Sequence, residues 1–250
     1  MAQKDTPAAA PHIRFAKPEL WYRIVRGVIY VLLRLLTRLE VRGLEYIPDR
    51  GPYIILTNHL HWLDPPAIMA TFPFRAYLFA AEKWEVHPVF GPLFRSLDAI
   101  FVQRGEVDRK ALRQALYVLR QGGVLGVAPE GTRSRTGGLQ QGRSGAAYMA
   151  YRTGARLLPV ATWGQEGFLD ALRRLRRVRM RIVYGPPFDP PPVEGKASTA
   201  DVKALSEEIM YHLAAMLPPQ YRGVYSDVAE KRPDLLARYA ASGQGKRNEE

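Results

Sequence analysis

The alternation of apolar and polar positions divides the chain into four stretches. Residues 1–19 are polar and proline-rich and predict a flexible leader without a signal-peptide pattern. Residues 20–41 predict an amphipathic helix. Residues 42–220 alternate short apolar runs with helix-length patterns, and residues 221–250 predict a C-terminal helix followed by a disordered tail from residue 242.

The predicted helix at residues 20–41 has a broad apolar surface and a basic stripe. The stripe consists of positions spaced by three, four and eight, namely Arg23, Arg26, Tyr30, Arg34 and Arg38. Its longest uncharged run is residues 27–33, whereas a membrane-spanning helix needs roughly 20 apolar residues. We therefore expect it to lie in a membrane interface, with its arginines at lipid phosphates. The alternative is a helix that packs its apolar face on the domain.

Short apolar runs of strand type recur through the centre of the chain, at residues 53–57, 76–80, 99–103, 124–128, 157–162 and 180–184. Helical patterns lie at residues 66–70, 88–95, 108–120, 145–153 and 200–217. Strands that alternate with helices predict a single α/β domain. We expect a mixed, mostly parallel sheet flanked by helices and preceded by the amphipathic helix.

The net charge of the chain indicates the kind of partner to expect. Thirty-six Lys and Arg residues against 24 Asp and Glu give a net charge of +12, which favours an anionic bilayer, a phosphorylated substrate or nucleic acid. Six arginines crowd residues 173–181, but no nucleic-acid-binding motif accompanies them, and no nucleic acid is expected. The run is more typical of a solvated face or a contact for lipid headgroups or the nucleotide of CoA. The chain has no cysteine, which excludes disulfides, thiolate catalysis and Cys-based zinc sites.

The first candidate chemistry is Asn-His-x-x-x-x-Asp at residues 58–64, directly after a predicted strand. A neutral imidazole at His59 could accept a hydroxyl proton if the Asp64 carboxylate held its other nitrogen. Residues five apart do not share a helix face, so the pair requires residues 58–63 to turn back. His61 is the rival base on spacing alone. Asp64 before Pro65 is equally typical of a helix N-cap.

The second candidate is Pro-Glu-Gly-Thr-Arg-Ser at residues 129–134, after another predicted strand. Gly131 lets backbone N–H groups approach an anion, Thr132 adds a hydroxyl donor, and Arg133 can bind phosphate oxygens in pairs. Glu130 would orient the loop or an arginine. The alternative is a surface turn with a Glu–Arg pair.

These segments resemble the blocks of the 1-acylglycerol-3-phosphate O-acyltransferase family, in the family order. Residues 91–94 and 100–104 are similar to the block between them, and Leu-Pro-Val at residues 158–160 is similar to the last. The resemblance implies acyl transfer from acyl-CoA or acyl carrier protein to the sn-2 hydroxyl of 1-acylglycerol-3-phosphate, with His59 as general base supported by Asp64. Phosphate binding falls to Arg104, Glu130, Gly131, Thr132 and Arg133, with Lys83 as a further contact.

The same resemblance implies no metal, no cofactor and no covalent acyl-enzyme, and a peripheral or monotopic location on the cytoplasmic face of the cell membrane. A glycerol-phosphate, lyso-ornithine or lipid-A-type acceptor is an alternative within the same fold. A metallohydrolase is a second alternative, although His-x-His at residues 59–61 lacks the following carboxylate and histidine. A serine hydrolase is a third, but residues 142–146 miss the last glycine of Gly-x-Ser-x-Gly.

Overall fold

A computed structural model describes residues 20–103 and 108–244, with side chains described as far as Ala241. The predictions for the leader, for Arg104 and for the end of the tail fall outside these ranges. The described helices are α1 (Leu20–Leu36), α2 (Asp64–Thr71), α3 (Phe90–Ser96), α4 (Arg109–Arg120), α5 (Gly145–Thr153), α6 (Phe168–Arg173), α7 (Thr199–Met216), α8 (Val228–Lys231) and α9 (Pro233–Gln244). The strands are β1 (Thr37–Arg42), β2 (Tyr53–Thr57), β3 (Tyr77–Ala81), β4 (Ile100–Val102), β5 (Val124–Val127), β6 (Arg156–Trp163) and β7 (Val178–Tyr184).

The strands form one sheet in the order β1-β7-β6-β2-β5-β3-β4. Five of the six neighbouring pairs are parallel, and only β6 with β7 is antiparallel. The predicted mixed, mostly parallel sheet of an α/β domain is confirmed. Residues Tyr53, Ile54, Ile55 and Leu56 of the central strand β2 are completely buried, as expected where helices cover both faces of a sheet.

Helices cover the sheet in two layers. One buried cluster joins α1 and α2 to the sheet through residues such as Leu33, Ile68, Phe72 and Met180. The cluster on the other face joins α4, α5 and α7. The loops that follow β2, β5 and β6 meet at the carboxyl ends of these central strands.

The first helix is shorter than predicted. It ends at Leu36, and Thr37–Arg42 is a strand that pairs in parallel with β7, whereas the sequence analysis extended the helix to residue 41. In this strand Thr37 and Leu39 are buried while Arg38 is exposed, which is the alternation of a strand. Arg38 therefore lies outside the helical stripe to which it was assigned.

Helix α1 has two apolar stripes. One packs on the domain and includes the buried Tyr22 and Leu33. The other is exposed and includes Ile24 (48%), Val28 (54%) and Leu32 (48%). Arg26 donates to the carbonyl oxygens of residues 72 and 73, so it joins the packed side and not the basic stripe. Among the described residues, no helix has both the length and the apolar character needed to cross a membrane.

The C-terminal helices pack on the domain. Nδ1 of His212 in α7 lies 2.5 Å from the hydroxyl of Tyr239 in α9, and the His212 ring stacks on Phe188. Burial lowers the pKa of His212 to about 3, so it is neutral at physiological pH. The predicted disordered tail was placed from residue 242, but α9 continues to Gln244.

Candidate active site

The site lies at the carboxyl ends of three adjacent parallel strands. Strands β5, β2 and β6 are neighbours in the sheet and run in the same direction. Their carboxyl ends therefore open at one edge, where sites of α/β proteins gather. His59 follows β2, the loop at residues 128–134 follows β5, and Gln165 follows β6.

His59 and Asp64 meet as the predicted turn requires. Residues 60–63 bend and turn, and α2 then begins at Asp64. The Asp64 carboxylate is 1% exposed, and its Oδ2 lies 3.1 Å from Nδ1 of His59. It makes no hydrogen bond that caps α2, so the N-cap interpretation of its side chain is wrong. The carboxylate instead orients the imidazole.

The two histidines differ in their relation to Asp64. His61 donates only its backbone N–H to Oδ2, at 2.7 Å. Its ring lies against Trp62 and Phe168, and its Nδ1 accepts from the Leu63 N–H at 3.4 Å. Burial lowers the pKa of His61. The geometry of a base held by a carboxylate thus belongs to His59.

Gln165 is a site residue that the sequence analysis missed. It is completely buried, and its Nε2 donates to Oδ1 of Asp64 at 2.5 Å. Both Asp64 oxygens are therefore directed by neighbours, Oδ2 towards His59 and Oδ1 towards Gln165. Asn58 adds a second link between β2 and β6, since its amide both donates to and accepts from the backbone of Thr162 at 2.7 and 2.8 Å.

Glu130 holds the backbone of the site. Its side chain is 2% exposed, and its two oxygens accept from the N–H groups of His59 and Gln140, each at 2.9 Å. Burial raises the pKa of Glu130, and these hydrogen bonds act against that rise. The carbonyl of His59 also accepts from the Ser134 N–H at 2.7 Å. Glu130 is among the residues predicted for phosphate binding, but one oxygen joins the β5 loop to His59 and the other binds Gln140 of the same loop, which is the geometry of a side chain that orients the loop.

The remaining predicted phosphate residues separate into two groups. Gly131 and Thr132 line a cavity beside His59. Arg133 is exposed, and its charge contributes to the low pKa of His61, so it lies at the rim. Lys83 is not among the residues that line the cavity, and its ammonium lies 5.3 Å from the centre of the Trp84 ring.

Arg143 is a cation that the sequence analysis did not assign to the site. It lines the cavity, and its side chain packs over Gly131, where a Cβ would lie 2.8 Å from Cδ of Arg143. Gly131 also has φ 70°, a conformation that glycine adopts without strain. The sequence signal for Arg143 was its position just before α5, at the other end of the loop that follows β5.

The surface of the cavity is mostly apolar. Its volume is about 810 Å³, which is within the usual range for ligand sites. His59, Asp64, Thr132 and Arg143 lie among its polar lining residues. Its apolar walls come from both helical layers and from the strands between them, and they include Ile68, Leu78, Phe79, Val127 and Met149. In residues 20–103 and 108–244, no three His, Cys, Asp or Glu side chains are grouped to hold a metal ion.

Comparison with known proteins gives relatives of one kind. A 1-acyl-sn-glycerol-3-phosphate acyltransferase of Borreliella burgdorferi is 31% identical over 133 residues, covering 52% of this chain and 53% of the relative. A 1-acyl-sn-glycerol-3-phosphate acyltransferase alpha of Homo sapiens is 27% identical over 188 residues, covering 70% and 62%. The chain thus spans between half and two thirds of the length of these two relatives.

A solved structure shares the fold. The 1-acyl-sn-glycerophosphate acyltransferase PlsC of Thermotoga maritima matches with a TM-score of 0.60 and 24% identity, covering 84% of this chain and 79% of that one. The family model described as Acyltransferase matches residues 38–163, just over half of the chain. The resemblance predicted from the sequence blocks is therefore confirmed, and the chain belongs to the acyltransferase family.

Proposed function

We propose that this protein transfers a fatty acyl group from acyl-CoA or acyl carrier protein to the sn-2 hydroxyl of 1-acylglycerol-3-phosphate, which gives phosphatidic acid. The observation that carries the proposal is the 3.1 Å contact between His59 and Asp64 in the lining of a mostly apolar cavity. The names of the relatives support the same acceptor. Neither a metal nor a cofactor takes part in the proposed reaction.

The proposed proton path uses both ring nitrogens of His59. With Nδ1 directed at Asp64, Nε2 accepts the proton of the acceptor hydroxyl as its oxygen bonds to the thioester carbonyl carbon. The carbon–sulfur bond then breaks, and the imidazolium returns the proton to the leaving thiolate. Asp64 stabilises the imidazolium between these steps. General-base assistance of this kind contributes about 10²- to 10⁴-fold in rate.

The rim of the cavity supports binding of a phosphate. Thr132 and Arg143 line the mouth, and Arg133 is exposed beside His61. We include Arg104 in this group from the sequence resemblance. Guanidinium groups bind phosphate oxygens in pairs, and hydroxyl and backbone donors add to them. The apolar walls behind them suit a fatty chain, because burying methylene groups is favourable.

We further propose that the enzyme works at the cytoplasmic face of the cell membrane. The exposed apolar stripe of α1 is bordered by Arg23 and Arg34, an arrangement typical of helices in a membrane interface. Both substrates carry fatty chains, so a site beside the bilayer needs no extraction of lipid into water. The partners are then an anionic bilayer, the lysophospholipid and the acyl donor.

The test is acyl transfer from oleoyl-CoA to 1-acylglycerol-3-phosphate in detergent micelles. His59→Ala should lower kcat by about 10²-fold or more, and His61→Ala should lower it much less, because only His59 has its ring held by Asp64. If only His61→Ala loses acyl-transfer activity, the proposed reaction stands, but the base is His61 and not His59. If the wild type is inactive on 1-acylglycerol-3-phosphate with both acyl-CoA and acyl carrier protein, but active on another lysolipid, the acceptor is that lysolipid.

A further inference from the structure

The segment at residues 168–177, which contains α6 and leads into β7, connects the site to helix α1. At its start, the Phe168 ring contacts the rings of His61 and Trp62, with centres 6.5 and 6.0 Å apart. At its end, Arg177 donates to the carbonyl oxygens of Arg34 and Thr37, where α1 meets β1. The segment is therefore fixed at both ends, and its middle projects from the domain.

Three leucines of this middle part point into solvent. The exposed fractions are 49% for Leu169, 39% for Leu172 and 95% for Leu175. Leu175 also has φ 52°, a conformation that a leucine rarely adopts. Single exposed leucines are common, but three in seven residues with one in a strained conformation need an explanation. Trp62 continues the apolar surface towards the site and is 47% exposed.

Arginines stand between the leucines. Arg179 and Arg181 pair with Glu40, and Arg177 is engaged by carbonyl oxygens. In the part of the chain that the structure describes, no carboxylate lies within ion-pair distance of the exposed Arg174 or Arg176. The neighbouring Arg173 has only a surface pair with Asp170. The middle of the segment therefore carries uncompensated positive charge beside its leucines.

We propose that residues 169–176 form a second contact with an anionic bilayer, next to the outer stripe of α1. This rests on the proposed function at a membrane. Leucines that insert below the headgroups, flanked by arginines at lipid phosphates, are the composition of an interfacial element. A nucleic acid would bind the arginines but would gain nothing from the leucines, so the bilayer accounts for more of the surface.

The position of the segment gives this contact a consequence for the site. Phe168 lies against His61 and Trp62, so a bilayer at residues 169–176 lies next to the rim at which the acceptor phosphate is proposed to bind. A lysolipid can then reach His59 from the plane of the membrane while its headgroup stays among arginines.

The first experiment replaces two of the three leucines without removing charge. Leu172→Gln with Leu175→Asn keeps a helix-forming residue in α6 and places an asparagine where φ is positive. Partition into vesicles of phosphatidylcholine and phosphatidylglycerol should fall by about tenfold or more. Val224→Asn is the control, because Val224 is 63% exposed in another part of the fold, and it should bind as the wild type does. Unchanged partition of the double variant would overturn the proposal.

The second experiment removes the charge. Arg174→Gln with Arg176→Gln should weaken partition into the anionic vesicles on the order of tenfold at low salt, and leave partition into pure phosphatidylcholine unchanged. The matched control, Arg113→Gln with Arg120→Gln, makes the same charge change on the opposite helical layer in α4. An equal loss in the control would show a general effect of net charge and overturn the proposal.

The membrane contact of residues 169–176 and the proposed acyl transfer can be refuted independently of each other. Acyl transfer in micelles should be unchanged in the leucine and arginine variants, because none of these residues lines the cavity. A raised KM for acyl-CoA in the arginine variant would assign the arginines to the donor nucleotide and overturn the membrane contact. A wild type that binds vesicles through this segment but transfers no acyl group would refute the proposed function and leave the contact standing.

Discussion

At the scale of single residues, the contact between His59 and Asp64 could be predicted from the local sequence. They are five positions apart, and the strand before them with the prolines after them restricts the chain to a turn that brings the side chains together. Gln165 could not be found in this way, because 101 positions separate it from Asp64 and no local pattern marks it. The role of Glu130 needed the structure too, since its partners lie on two separate loops.

Replacing Gln165 tests whether it positions Asp64. Gln165→Leu removes the donor to Oδ1, so Asp64 loses a hydrogen bond that fixes its orientation. We expect kcat to fall by about tenfold or more with KM little changed, since the loss of a hydrogen-bond partner that orients a site residue has effects of this size.

The controls separate positioning from stability. Gln114→Leu makes the same chemical change at an exposed position of α4 and should leave kcat unchanged. Gln165→Glu should lose activity with rising pH, because two carboxylates in contact cannot both be ionised at low cost. A Gln165→Leu enzyme with a lower melting temperature but the wild-type kcat would make the residue merely structural.

At the scale of elements, the sequence predicted the strands best where they are buried on both faces. The predicted strand at residues 53–57 coincides with β2. Among the helices, the prediction at residues 145–153 coincides with α5. Strand β1 was missed because Leu39 and Val41 continue the apolar density of α1, and six residues are too few for their period to show. Pairing with β7 is a long-range interaction, and it decides the outcome here.

A glycine in strand β5 sets the width of the cavity. A Cβ on Gly126 would lie 2.3 Å from Cδ2 of Leu78 on the adjacent β3, and both residues line the cavity. Gly126→Ala should push the flexible end of Leu78 into that space. We expect transfer from stearoyl-CoA to fall about tenfold relative to lauroyl-CoA, the usual scale for steric selection in an apolar pocket.

The matched change is Gly27→Ala in α1, where the added Cβ meets nothing within 4 Å. It should leave the chain-length profile as in the wild type. A uniform loss in Gly126→Ala across all donors would indicate a disturbed site and not a shortened cavity, and the assignment of the fatty chain to this cavity would then be wrong.

At the scale of the whole molecule, the question left by the sequence was whether α1 meets the domain or a membrane. The structure packs one apolar stripe of the helix on the domain and leaves a second stripe exposed, because its apolar positions extend around more of the circumference than the domain covers, and we propose that the exposed stripe meets the membrane. Hydrophobic patterning alone cannot divide such a surface, since packing partners lie elsewhere in the chain. The same holds for residues 168–177, whose charges were visible in the sequence but whose exposed leucines were not.

The outer stripe of α1 can be tested by substitution. Ile24→Gln, Val28→Gln and Leu32→Gln together remove exposed apolar area and leave the packed Tyr22 and Leu33 in place. Flotation with anionic vesicles should show at least about tenfold weaker binding, with acyl transfer in micelles unchanged. Deletion of residues 20–41 is unsuitable, because it removes most of β1.

The control replaces exposed apolar residues that lie outside both proposed membrane contacts. Leu44→Gln and Val224→Gln, at residues 46% and 63% exposed, should leave flotation unchanged. If the α1 variant floats as well as the wild type, this helix is not the anchor.

Helix α1 passes into β1 between Leu36 and Thr37 without a linker. A helix mounted in this way has no freedom to tilt independently of the sheet, so the inclination of the enzyme on a bilayer would be dictated by its own architecture and not by the lipid. His59 would then stand at one constant height above the headgroups. Acceptors would be selected by the distance of their hydroxyl from the membrane plane. An acceptor with a bulkier headgroup would be excluded because its hydroxyl lies at a different height from His59, even where its phosphate fits.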